Sequence, residues 1–113
     1  MIRTTTMAAA ALLLGGCRLW AAGDDPAGRE LMGNAQTVLE AANRYVQANG
    51  KPPADLEALV PQYLAALPAK PALNYSAKRG TLVYNYDTVW PPNSVSACQA
   101  RLGEQAFHCI VYN

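Results

Sequence analysis

The sequence predicts an α+β domain, in which one long N-terminal helix and a short second helix pack on a small antiparallel sheet of about three or four strands. Three observations predict it. Apolar residues recur at three- and four-residue steps from Leu31 to Val46, the period changes to two between Leu73 and Tyr86, and the chain closes on a second strand-like run, "FHCIVYN". Steps of three and four place side chains on one face of a helix, whereas steps of two place them on one face of a strand. With 113 residues the chain has room for one such domain, expected over residues 26–113.

The long helix is expected to begin after "GDDP". Asp24 or Asp25 can cap its first free N–H groups, and Pro26 suits the first turn, where its missing N–H costs nothing. Leu31, Ala35, Val38, Leu39, Ala42, Tyr45 and Val46 then form one apolar stripe. Glu40 and Arg44 stand four apart on the outer face as a favourable pair. Asn49-Gly50 supplies a left-handed stop, and Pro52-Pro53 prevents resumption.

In "ADLEALVPQYLAALPAKP", Asp55 is expected to cap a short helix over Leu56 to Val60 that Pro61 ends. Tyr63, Leu64 and Leu67 are apolar teeth that hold an irregular segment to the core, and Pro68 and Pro71 keep it extended. Leu73, Tyr75 and Ala77, then Leu82, Tyr84 and Tyr86, alternate with polar or outward residues around "KRG", which predicts a β-hairpin. The tyrosines read as packing along one side of that sheet. "DTVWPPNSVSACQARLGEQA" reads as a long connection with a turn at Leu102-Gly103, and "FHCIVYN" as a closing strand.

The first residues read differently. "MIRTTTM" carries one positive charge and no acid, and Ala8 to Leu14 form a short apolar core of signal-peptide type. Seven residues span about 10 Å as a helix, far short of the roughly 30 Å of a bilayer core. Of nine Lys/Arg and eight Asp/Glu, only Arg3 falls in residues 1–16, so eight of each remain beyond them. That balance, with no basic cluster, gives no footprint for nucleic acid.

Leu14-Gly15-Gly16-Cys17 resembles the bacterial lipobox, in which a Leu and two small residues precede an obligatory cysteine. The resemblance implies a lipoprotein signal peptide over residues 1–16, diacylglyceryl and acyl groups on Cys17, and a tether over residues 17–25. The alternative is an ordinary secretory peptide cut at the nearby "AAG". Several acyl chains anchor far more firmly than one, because each buried methylene adds about 0.8 kcal/mol. Arg18 follows the cysteine where an inner-membrane retention signal has Asp, which implies an outer-membrane protein facing the periplasm. With Cys17 assigned to lipid, Cys98 and Cys109 remain, in a compartment where disulfides persist. A structural disulfide between them is expected in preference to a metal or redox pair, which would call for CxxC spacing or neighbouring ligands.

"YVQANGKPPADLEALVPQYLAALP", residues 45–68, resembles the segment that follows the long helix in type IV pilins and type II secretion pseudopilins. Asn49-Gly50, Pro53, Asp55-Leu56, Leu59-Val60-Pro61, Tyr63-Leu64 and Leu67-Pro68 carry the likeness in order. The resemblance implies a pilin-head-like domain over roughly residues 30–113. Pilins begin with a processing site and a long apolar helix bearing a glutamate. Here a lipobox and a polar tether stand in that place, so the implied object is a pilin-like head held on a membrane by lipid.

Little reactive chemistry accompanies this framework. The only histidine, His108, lies in an expected strand and reads as a solvated or packed side chain. Asp87 with Trp90 is the candidate ligand or partner contact, since a carboxylate beside an aromatic face suits a sugar ring. The plainer reading is a turn aspartate and a core tryptophan. No phosphate loop, zinc spacing or nucleophile signature is present, so no catalytic residue, metal or cofactor is assigned and the chain is not expected to be an enzyme. The expected function is a membrane-anchored periplasmic lipoprotein with a structural or protein-interaction role, linked to a pilus or type II secretion-like system. The alternatives are a small glycan- or cell-wall-binding lipoprotein and a secretion pilotin.

Overall fold

A computed structural model describes residues 25–89 and 92–112, and its dominant element is α1, an α-helix over Pro26–Asn49. Its inner stripe matches the expected spacing. Ala35, Val38, Leu39 and Ala42 are fully buried, while Leu31, Tyr45 and Val46 are half-buried. Burying side chains the size of Val38 and Leu39 contributes about 1.5–3 kcal/mol each. Gly50 ends the helix at φ 75°, donating its N–H to the Val46 carbonyl at 2.8 Å.

Ala41 is buried as well, although it lies off that stripe. Arg44 and Tyr45 share its flank by helical spacing, and both meet Tyr63. The Arg44 guanidinium donates to the Tyr63 carbonyl at 2.8 Å, and the two tyrosine rings meet edge to face at 5.4 Å. The segment after the helix therefore covers a second side of α1. The expected Glu40–Arg44 ion pair does not form among the described residues, because the guanidinium is turned to that carbonyl.

The short second helix is a 3-10 turn over Leu56–Leu59, capped as expected by Asp55, whose Oδ1 accepts the Ala58 N–H at 3.0 Å. Leu59 seats it in the core. The following proline-rich stretch runs through turns and bends, with cis peptide bonds before Pro61 and Pro71. Asn34 on α1 donates to the Lys70 carbonyl at 2.9 Å, and the Tyr75 hydroxyl donates to that of Pro53 at 2.7 Å.

Four strands form an antiparallel meander in the order β1-β2-β3-β4: Asn74–Ser76, Thr81–Asp87, Val95–Arg101 and His108–Tyr112. The β1–β2 hairpin and the closing strand stand where the alternation placed them. The segment read as a long connection does not: Val95–Arg101 is β3, paired along its length with β2 and then with β4. Its buried side chains are Ser96, Cys98 and Ala100, which are too small to register as an apolar alternation. They are small for a reason. Tyr86 pairs with Ser96, Tyr84 with Cys98 and Leu82 with Ala100, so each bulky residue of β2 sits beside a compact one of β3 on the face turned to α1.

The β3–β4 turn is fixed to the helix by polar groups. Asn43 accepts from the Gly103 N–H at 2.7 Å and donates to the Glu104 carbonyl at 2.9 Å, while Gln36 donates to the carbonyl of Gln105. Gly103 takes φ 99°, a conformation that favours glycine. Phe107 then turns its ring onto Tyr84, edge to face at 5.3 Å.

Candidate functional site

Cys17, the expected lipidation site, and Trp90, half of the expected contact pair, lie outside the described residues, as do the leader and Asp24. The point where the tether meets the domain is described. Asp25 occupies the N-cap position of α1, yet its carboxylate makes no capping hydrogen bond, which corrects the expectation. It is 2% exposed and turned toward the sheet. The Tyr86 hydroxyl donates to Oδ1 at 2.5 Å, and the Val89 backbone N–H donates to Oδ2 at 3.3 Å. The Asp25 carbonyl accepts the Arg29 N–H at 2.9 Å as the first intrahelical bond, while the carboxylate binds the end of β2 instead of the helix's own N–H groups. The start of the helix is thereby bound to the β2–β3 loop.

Cys98 and Cys109 form the expected disulfide. They stand directly opposite one another on β3 and β4, with Cα atoms 4.0 Å apart. Cys98 is fully buried, so the bridge belongs to the packed face of the sheet. The tyrosines of that face are packing groups too. Burial, with the neighbouring Tyr86 adding to it, pushes the Tyr84 phenol up to about 12. Burial raises Tyr75 above its usual value of 10 as well, with Tyr45 contributing. Both phenols stay protonated at neutral pH.

Asp87 is exposed at the end of β2, on the opposite face from Tyr86. It lies in register with Val95 and, through it, Tyr112. One pair further along, Asn85, Ala97 and Ile110 form the next row, and Val83, Gln99 and His108 the one after. Among the described residues this outer face carries no helix, and it holds a shallow depression of ≈ 300 Å³ over Val83, Ala97, Gln99, Arg101 and Ile110. His108 is well exposed at its rim, 4.0 Å from the Glu104 carboxylate across the turn. Among the described residues no three His, Cys, Asp or Glu side chains converge as a metal site, and no helix is long and apolar enough to cross a membrane.

No family model, curated protein or solved structure matches this chain.

Trp90 lies outside the described residues; within them the sheet sets Asp87 opposite Val95, with Tyr112 one strand further along the same row. A signal for these was present in "HCIVY". Cys109 and Val111 already supply an inward face, so Ile110 and Tyr112 on the other parity must point away from the core. Both are indeed exposed, at 66% and 50%.

Proposed function

We propose that this chain is a lipid-anchored lipoprotein of the bacterial envelope, cut before Cys17 and acylated on it, with a non-catalytic head that contacts protein partners. The observation that carries the reading is Leu14-Gly15-Gly16-Cys17 behind a charged and apolar leader, with the cysteine eight positions ahead of Asp25, where the first helix of the domain begins. The disulfide supports it, since the two remaining cysteines are paired as an oxidising compartment would leave them. The order of long helix, Asn-Gly stop, short capped turn and antiparallel sheet supports a pilin-head-like architecture. A place beside a pilus or type II secretion-like system, on the periplasmic side of the outer membrane, follows from that likeness and from Arg18.

In-cell crosslinking from the outer sheet face, at Gln99 or Arg101, followed by mass spectrometry tests the partner class. Recovery of pilus or secretion components is the expected result. Saturable glycan binding that Asp87→Ala abolishes would replace the reading with a cell-wall-binding one. Mislocalised secretion-channel subunits on deletion would make the protein a pilotin.

A further inference from the structure

The large hydrophobic side chains that the described residues leave exposed are Val89, Ile110 and Tyr112, at 57%, 66% and 50%. Val89 and Tyr112 lie at one end of the sheet, and Ile110 follows on its outer face toward the middle. Tyr112 lies in the row of Asp87 and Val95 at the last pair of the sheet, and Ile110 lies two residues back on the same face of β4. Val89 follows β2 by two residues and is bound through its N–H to Asp25. The same end is therefore where α1 begins and where the chain from Cys17 arrives.

Resting on the lipid-anchor reading, we propose that this end of the domain lies against the bilayer that holds Cys17, with Val89, Ile110 and Tyr112 in the interfacial layer. Cys17 stands eight positions before Asp25, a reach of at most about 28 Å. Helix α1 carries the opposite end of the domain about 36 Å further away. Of the exposed apolar groups, the anchor thus delivers these to lipid at high local concentration. Tyrosine favours the headgroup level, where its ring is apolar and its hydroxyl stays wet. A second, weak contact is also what gives a chain-anchored protein a defined orientation.

The two rows bearing Ile110 and Tyr112 contain Asp87 and no Lys or Arg, while Arg29 and Glu30 stand exposed near the start of α1, so this end is close to neutral and its apolar groups rather than a net charge would meet the lipid.

The test uses the mature lipidated protein in nanodiscs of phosphatidylethanolamine and phosphatidylcholine, with and without a lipid bearing a nitroxide on its headgroup. Methyl NMR signals of Val89 and Ile110 should broaden several-fold when the nitroxide is present, while those of Val46 and Val60 stay sharp. Broadening of all four alike, or of none while the protein remains on the discs, overturns the orientation and leaves the anchor standing. A purified mature protein that carries no lipid and does not co-elute with the discs overturns both.

Discussion

The Tyr86 hydroxyl donates to the Asp25 carboxylate across 61 positions of sequence, joining the first turn of α1 to the end of β2. Because Asp25 is buried, removing its carboxylate strands the groups that point at it, which typically costs about 1–3 kcal/mol. Asp25→Ala should lower stability by that amount in chemical denaturation, with Tyr86→Phe costing less. A double-mutant cycle should give a coupling of about 0.5–3 kcal/mol. Strictly additive losses would mean that the contact carries no weight in solution.

Tyr84 predicts an alkaline limit to stability. Its phenol is raised by burial, with Tyr86 adding, from the usual 10 to about 12. The folded state therefore holds a proton that the unfolded state releases above pH 10. This contribution is fully present below about pH 10 and is lost as pH rises toward and through about 12. Denaturation midpoints measured from pH 8 to 11.5 should fall over the upper part of that range. Tyr84→Phe should flatten the fall.

Removal of the Cys98–Cys109 bridge should destabilise the domain by about 3 kcal/mol, the chain-entropy value for a loop this short. The two residues are 11 apart in sequence and opposite in register, so the bridge closes a hairpin that the turn already directs. The Cys98→Ala/Cys109→Ala pair should still fold, with its denaturation midpoint lowered and the slope somewhat steeper, because the unfolded chain is no longer cross-linked.

The elements legible in the sequence were those whose side chains announce a face. Leu31 to Val46 did so for α1, Leu82, Tyr84 and Tyr86 for β2, and Asn49-Gly50 and Asp55 marked a stop and a start. Strand β3 was not legible. Its buried face of Ser96, Cys98 and Ala100 is shaped by the tyrosines opposite, and that complementarity exists only once the two strands are paired. Asp25 was placed at the right position with the wrong task, since nothing local shows that a hydroxyl 61 residues away will claim its carboxylate. The pairing of Cys98 with Cys109 followed from arithmetic, whereas their being cross-strand neighbours depended on seeing β3.

The measurement that bears most directly on the central claim is mass spectrometry of the N-terminal peptide of the mature protein purified from bacterial membranes. The account predicts a chain that begins at Cys17, with a thioether-linked diacylglyceryl group on sulfur and an acyl group on the new amine. Loss of fatty-acid label in Cys17→Ser should accompany it. A mature chain that begins elsewhere, or a Cys17 that carries no lipid, would contradict the account.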